Sequence, residues 1–361
     1  MKGFLSLLSA FLIITIFSAC SHSSSNNVKD FIESDFKESY NLGKGEAYKN
    51  DSLFLSSPRW IRYHPDSLLI IQEMGTPYLV KVVDLKSGSV QQIIPKGKGT
   101  NEMIVAWGID LSEGHLSVFD GAQKKICQLT LDDHRKFKFS KEILLQDKGT
   151  IGAYPVSKDL IVGLSGITQN SRLSLFDEAG AIVDTMGNFP SLGNNNEFKS
   201  DNNLFSSYIT GTPEGDKIAL ACTNSDIIEI YNTKKGLIKR FQGPEGIQLS
   251  ARQQDVGVGT IMVTEPGFRG YSNAVANKQE FWVGYVGYKM QKGLRPKRAD
   301  MYPKKIFCFD WNGNPLKKIE VGVPLISFAV DWQHGKIYGL TESKSPEIVV
   351  FDLHSKMHPT I

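Results

Sequence analysis

The segment KIYGLTESKSPEIVVFD, residues 336–352, contains the pattern that decides the fold. Lys336–Glu342 and Glu347–Asp352 are short runs rich in β-branched and aromatic residues, and a polar loop separates them. Runs of this composition predict β-strands, and the aspartate that ends the second run indicates a turn. The segment therefore predicts two antiparallel strands followed by a turn.

The same pattern recurs six times between residues 60 and 353. The third strand of each unit ends in an acidic or amide residue, and these residues are Asp84, Asp132, Asp177, Asn232, Asp310 and Asp352. The second strands are Leu68–Glu73, His115–Asp120, Leu160–Gly166, Lys217–Thr223, Glu280–Tyr288 and Lys336–Glu342. Apolar residues at helical spacing are missing. Six repeats of four antiparallel strands predict an all-β fold, the six-bladed β-propeller.

The physics of the repeat requires all six units together. One blade exposes two apolar faces, whereas radial packing in a ring buries both of them and removes the open ends. No obvious fourth strand follows Asp352 in the last unit. We expect a strand around Phe36–Leu42 to supply it and to close the ring. An open ring or an unrelated β-fold is the alternative.

Composition and charge exclude several classes of protein. Hydrophobic residues make up 41% of the 361 residues, which is enough for a large core and argues against a disordered chain or a coiled coil. The 41 Lys and Arg nearly balance the 38 Asp and Glu, giving a formal net charge of +3. Nucleic-acid binding usually needs a clear basic excess, so we expect no nucleic-acid partner.

The N-terminus predicts export. Lys2 precedes an apolar run from Phe4 to Phe17, which is shorter than the roughly 20 residues of a membrane span. Ser18-Ala19-Cys20 then resembles the cleavage site of a bacterial lipoprotein signal. The interpretation is a signal peptide over residues 1–19, a lipidated Cys20 that begins a flexible tether over residues 20–35, and one propeller domain over residues 36–361. An ordinary signal peptide with a coincidental cysteine is the alternative.

The remaining cysteines, Cys127, Cys222 and Cys308, each lie in an apolar, strand-like run. Their odd number forbids complete pairing, and none has the paired spacing of a metal site. We expect three buried thiols that pack as small hydrophobic side chains.

The link between the first two units resembles a known family. It contains Gly97, Gly99 and Glu102, and Trp107-Gly108-Ile109-Asp110 follows. The chain thereby resembles the TolB-like six-bladed propeller lipoproteins and, more distantly, the NHL-repeat propellers. The resemblance implies a propeller fold and a lipid-anchored location in the bacterial cell envelope. Because no acidic residue closely follows Cys20, it also implies the outer membrane. It implies no established chemistry.

Three long segments, residues 188–206, 243–269 and 289–304, fall on the same face of such a propeller. Long loops often carry function, so this loop face is the predicted ligand site. The candidate ligand-binding residues are Trp107, Arg172, Arg252, Arg269, Tyr271, Tyr285, Tyr288 and Arg295. Residues 289–305 contain seven basic residues against Asp300 alone, which favours an anionic partner. The expected partner classes are a glycan, a peptide or another envelope protein, beside the membrane itself.

The function predicted from these features is that of a non-enzymatic binding or scaffold protein. The alternative is a propeller hydrolase or lyase, similar to the lactonases, with a metal ion in the central channel. Of the seven histidines only His64 has a plausible first-strand position, so a three-histidine zinc site is disfavoured. No cofactor is predicted, although Glu102, Asp201, Asp255 and Glu265 leave a Ca²⁺ site open.

Overall fold

The computed structural model describes residues 29–112, 114–165, 171–191, 202–255, 257, 260–265, 267–291, 293–342 and 345–354. These residues form β-strands and short 3₁₀ turns, the latter at Glu33–Asp35, Asn202–Phe205 and Arg298–Met301. In this part of the chain, no helix has the length and apolar character needed to cross a membrane. Cys20 and the predicted signal peptide lie outside the described residues.

The strands form six four-stranded blades, each antiparallel from the first to the fourth strand. Two strands precede the blades: β1 (Glu38–Asn41) and β2 (Glu46–Ala47). Blade one contains β3 (Pro58–His64), β4 (Leu68–Glu73), β5 (Tyr78–Asp84) and β6 (Val90–Pro95). Blade two contains β7 (Ala106–Ser112), β8 (His115–Asp120), β9 (Lys125–Leu131) and β10 (Phe137–Leu144). Blade three contains β11 (Gly152–Ser157), β12 (Leu160–Leu164), β13 (Ser171–Phe176) and β14 (Ile182–Asn188).

The second half of the ring follows the same order. Blade four contains β15 (Ser207–Gly211), β16 (Lys217–Cys222), β17 (Ile227–Asn232) and β18 (Gly236–Gln242), and a separate hairpin of β19 (Ser250–Asp255) and β20 (Thr260–Glu265) follows it. Blade five contains β21 (Phe268–Ala276), β22 (Glu280–Lys289), β23 (Lys305–Asp310) and β24 (Pro315–Glu320). Blade six contains β25 (Leu325–Asp331), β26 (Lys336–Glu342) and β27 (Pro346–Asp352). The predicted six-bladed, all-β architecture is confirmed. The segment 243–269, one of the three long segments of the predicted loop face, contains this hairpin.

An N-terminal strand closes the ring, as predicted, but the expected strand was the wrong one. The segment around Phe36–Leu42 forms β1, which pairs in parallel with β24 and extends blade five to five strands. Blade six is completed by β2, which pairs antiparallel with β27 through Glu46 and Val350. Gly43 and Gly45 have positive φ angles of 65° and 72° and form the turn between the two strands. This turn carries the chain from one blade to the next.

The recurring acidic or amide residue at the end of each third strand has one physical role. In every blade its Oδ1 accepts a hydrogen bond from the backbone N–H two residues further on. The distances are 2.8 Å for Asp84, 3.0 Å for Asp132, 2.9 Å for Asp177, 3.0 Å for Asn232, 2.9 Å for Asp310 and 2.8 Å for Asp352. This Asx geometry starts the turn into the fourth strand.

The glycines between blades one and two make room for a carboxylate. Glu102 Oε2 accepts a hydrogen bond from the Gly99 N–H at 2.8 Å. A Cβ atom on Gly97 would lie 2.0 Å from that same oxygen. Only glycine therefore fits at residue 97 while Glu102 folds back over the turn.

The core lies between the blades, and the segment before β1 seals it between blades four and five. Phe31 is 4% exposed and packs edge-on against Phe309 and Phe241, with ring centroids 5.2 and 6.0 Å apart. The Asp30 N–H donates to the Gln242 carbonyl at 2.8 Å. Residues 30–35 are thus packed against the propeller, which corrects the tether boundary expected at residue 35.

The three cysteines are free and buried, as predicted. Burial raises the pKa of Cys127 and of Cys222 to about 11, and it raises the pKa of Cys308 as well. All three thiols therefore stay protonated at neutral pH and act as packing groups.

Replacing Phe31 tests whether the N-terminal segment stabilises the ring. We expect Phe31→Ala to lower the free energy of unfolding by about 3–5 kcal/mol, because it removes a buried aromatic ring and leaves a cavity. Urea unfolding followed by tryptophan fluorescence measures the change. Phe54→Ala is the matched control, since the Phe54 side chain is 70% exposed, and we expect it to cost less than about 1 kcal/mol. Equal effects of the two substitutions would contradict the assignment.

Candidate functional site

A cavity of about 430 Å³ lies on the axis of the ring. Each of the six first strands contributes to its wall, through Arg62, Asp110, Tyr154, Thr210, Val275 and Ala329. Its mouth is formed by residues in or beside the turns between first and second strands, among them Pro65, Ser112, Pro213, Asn277 and Trp332. The cavity therefore opens on the face opposite to the loop face. Its volume lies in the range of small-molecule binding sites.

A polar network crosses the inner end of this cavity. The Arg62 guanidinium of blade one donates through Nη1 to Asn273 Oδ1 of blade five at 3.1 Å. It also donates through Nη2 to Asp110 Oδ1 of blade two at 3.3 Å. Ser327 of blade six donates to the same Asn273 oxygen at 3.2 Å. Four blades thus converge on one set of side chains, which we call the axial network: Arg62, Asp110, Asn273 and Ser327.

The carboxyl group of Asp110 is poorly compensated. Its side chain is only 11% exposed, and its one described hydrogen bond is the long one from Arg62. Burial raises its pKa to about 7, and the nearby Arg62 charge limits the rise. A carboxyl group with such a pKa changes its charge close to neutral pH, which is typical of binding and catalytic sites.

Aromatic and apolar side chains form the walls around this polar end. Tyr154 is 5% exposed, and burial raises its pKa, so its hydroxyl stays protonated. Trp332 packs edge-on against Trp282 with centroids 4.8 Å apart, which fixes one side of the mouth. His64 is 8% exposed, and burial lowers its pKa, which favours the neutral imidazole. The expected first-strand position of His64 is confirmed.

Towards the loop face, aromatic side chains of two opposite blades interact. The Tyr208 hydroxyl of blade four interacts with Trp60 of blade one, and the Arg269 and Arg59 charges act on it. Burial raises the pKa of Tyr208. Neither arginine forms an ion pair with a carboxylate of the described residues.

Three of the candidates predicted from the sequence lie inside the protein. Arg172 is 1% exposed and donates from Nε to Glu229 Oε2 at 2.7 Å, and Arg240 binds the other oxygen of the same carboxylate. Tyr271 and Tyr285 are 1% and 5% exposed, and they pack together between blades four and five. A ligand could reach these three side chains only after a local opening.

The other five candidates do not form one site. Trp107 is 46% exposed and packs over Gly121, while Arg269 and Tyr288 face each other across β21 and β22 and are half-buried. Arg295 is exposed in the loop after β22. Arg252 lies on β19, opposite Val263, in the separate hairpin. Contact of these residues with a ligand stays a prediction.

Acidic partners neutralise part of the basic segment 289–305. Lys289 pairs with Glu245 at 2.8 Å, and Arg298 pairs with Glu342 at 2.9 Å. Lys305 pairs with Glu33 at 2.6 Å. The positive potential of this segment is therefore smaller than the sequence suggested. An anionic partner stays a prediction.

The axial network was not predicted from the sequence, although the positions of two of its charged residues in the repeat indicate it. Arg62 and Asp110 are each the third residue from the end of a first strand, so the blade register places them at the same level of neighbouring blades. Two opposite charges at equivalent repeat positions predict an ion pair. Within the described part of the chain, no group of three or more His, Cys, Asp and Glu side chains could hold a metal ion.

The raised pKa of Asp110 predicts how stability depends on pH. Because the folded-state pKa lies above the unfolded value, the protonated form is favoured by folding, and stability is lost as the pH rises from about 4 through about 7. We expect Asp110→Asn to raise the free energy of unfolding by roughly 1–4 kcal/mol at about pH 8 and to change it little at about pH 4. Urea unfolding at both pH values measures this. Asp159→Asn is the control at an exposed position, and it should keep the pH profile of the unsubstituted protein. If Asp110→Asn also kept that profile, the raised pKa assigned to Asp110 would be wrong.

Of the comparisons with known proteins, the family match carries the assignment. None of the curated proteins matches the chain. Among solved structures, a protein from Bacteroides fragilis NCTC 9343, described as an exported protein, is 14% identical to this chain and has a TM-score of 0.47. The match covers 87% of this chain and 98% of the other chain. Virginiamycin B lyase from Staphylococcus aureus is 12% identical, with a TM-score of 0.43 over 85% of this chain and 87% of its own. The sequence matches the family described as TolB-like 6-blade propeller-like over residues 35–333, and the chain belongs to this family.

Proposed function

We propose that the chain is a lipid-anchored protein of the bacterial cell envelope whose propeller is a non-enzymatic binding module. In this proposal the axial cavity, and not the loop face, holds the ligand. Cys20 carries the anchor, and the outer membrane is the expected location. The alternative hydrolase or lyase with a metal ion in the channel stays a prediction.

The observation that carries the proposal is the composition of the cavity. An apolar, aromatic enclosure with a few converging polar groups is the usual form of a small-molecule site. Here the polar groups are Arg62 and Asp110, whose side chains are 14% and 11% exposed. Water therefore stabilises these two charges only weakly, and the single hydrogen bond between them is long. Both side chains keep hydrogen-bonding groups that a ligand could use.

The loop face supports a second contact surface more weakly. Its strongest candidates, Arg172, Tyr271 and Tyr285, are already engaged in the packing of blades three to five. A glycan, a peptide or another envelope protein remains the partner class proposed for this face, with Trp107 and Arg295 as the exposed candidates.

Blocking the mouth of the cavity tests the binding site. We expect Ser112→Trp to place an indole at the mouth and to weaken binding of any ligand found by thermal-shift screening of small metabolites at least tenfold. Ser87→Trp is the matched control, because Ser87 is exposed in another turn and does not line the cavity. Isothermal titration calorimetry gives the affinities. Equal affinities of the two variants for every ligand would place binding elsewhere.

The anchor is tested separately in a bacterial host. We expect the unsubstituted chain to incorporate an alkyne-labelled fatty acid and to sediment with membranes, and Cys20→Ser to lose both properties. Cys127→Ser is the matched control, since Cys127 is buried in the propeller. Labelling that survives Cys20→Ser would refute the lipoprotein assignment.

A further inference from the structure

The axial network also indicates the chemical class of the ligand. Resting on the proposed function, we propose that the cavity binds a small zwitterion with the arrangement of an α-amino acid and an apolar side chain. Arg62 holds its carboxylate, Asp110 holds its ammonium group, and the walls of the cavity cover its side chain.

Arg62 has donors to spare for a carboxylate. A guanidinium group carries five N–H donors. Three of them are used, by Asn273 Oδ1, by the Ile61 carbonyl at 3.1 Å and by Asp110 Oδ1. The Nε–H and one N–H of Nη2 have no acceptor among the described residues. Two neighbouring donors of this kind match the two oxygens of a carboxylate.

Asp110 has an acceptor to spare for a cation. Its Oδ1 receives the single bond from Arg62, and its Oδ2 has no hydrogen-bond partner in the described part of the chain. Because this carboxylate is nearly buried, water compensates its charge poorly. An ammonium group beside Oδ2 would supply the missing donor and the missing charge.

Both charges must be matched together. The inner end of the cavity carries one positive and one negative group, 3.3 Å apart at their nearest atoms. A ligand with only a carboxylate meets the charge of Asp110, and a ligand with only an amine meets the charge of Arg62. A ligand with both groups on adjacent atoms satisfies the pair without net charge, so the network selects for the zwitterion.

The remaining walls favour an apolar side chain. Val275, Val330 and Ala329 line the cavity together with Trp332 and Tyr154. Burying aliphatic or aromatic groups of the ligand against them removes apolar surface from water, which favours binding. The expected ligands are therefore the medium-sized apolar amino acids, such as leucine, methionine and phenylalanine.

The pH dependence of binding separates this ligand class from a simple acid. Among the described residues, Arg62 from β3 and Tyr154 from β11 are the groups whose charge or titration is coupled to Asp110, and burial raises the pKa of Tyr154, so its hydroxyl stays protonated near neutral pH. Asp110 must be ionised to hold an ammonium group, and in the free protein its pKa is about 7. Affinity for a zwitterion should therefore fall about tenfold for each pH unit below about pH 6. A ligand with only a carboxylate should bind more tightly as the pH falls.

The test titrates the full chain with matched ligands by isothermal calorimetry at about pH 8 and about pH 5. The probes are phenylalanine and its two half-ligands, 3-phenylpropanoate, which lacks the amine, and 2-phenylethylamine, which lacks the carboxylate. Leucine and methionine are tested in the same way, each with the analogue that lacks the amine and the analogue that lacks the carboxylate. We expect at least one amino acid to bind at least tenfold more tightly than either half at the higher pH and to weaken at the lower pH. Asp110→Asn should remove this preference and the pH dependence while leaving the fold intact by circular dichroism.

Two results would overturn the zwitterion and leave the binding site in place. One is a half-ligand that binds as tightly as its amino acid. The other is a screened metabolite that Ser112→Trp excludes, although none of the amino acids binds. If Ser112→Trp weakens the binding of no small molecule, both the axial binding site and the zwitterionic ligand are refuted.

Discussion

Every other feature of this protein depends on burying both faces of each blade. A four-stranded sheet with apolar residues on both sides has no stable form alone, so each blade needs two neighbours. Blades one and six therefore have to meet, and the chain brings them together by packing β25 of the last blade against β3 of the first. The Ile61 N–H donates to Ser327 Oγ at 3.2 Å across this junction. The axial cavity exists because six first strands are held at a fixed distance from a common axis.

Local patterns in the sequence carry most of the fold. Third strands such as Tyr78–Asp84 and Ile227–Asn232 end at the residue predicted from the sequence, because an Asx turn marks that end. The closing strand is harder to predict. Four residues separate β1 from β2, both strands are short, and nothing local to them shows which one pairs with blade five and which one with blade six.

The candidate site was less accessible to sequence reasoning, for a physical reason. Arg62 and Asn273 are 211 positions apart, and their contact depends on the radius of the ring and on the register of two distant blades. Aromatic and arginine residues near long loops suggested a ligand face instead. Arg172 shows why loop position is a poor guide to ligand contact in this protein, because its guanidinium forms a buried ion pair with Glu229. The composition of a loop shows which residues are close together in the sequence. A binding site depends instead on which side chains come together in the folded protein.

The seam between β2 and β27 sets the order in which the molecule can assemble. Glu46 pairs with Val350, so a strand made near the beginning of synthesis waits for a partner made near the end. Blades one to five can form their own hairpins as they emerge, but the last sheet stays incomplete until the two ends meet. Contacts between residues so distant in sequence form slowly, and the partly built ring exposes strand edges in the meantime. A protein with this topology therefore reaches its closed ring only after both β2 and β27 have been made.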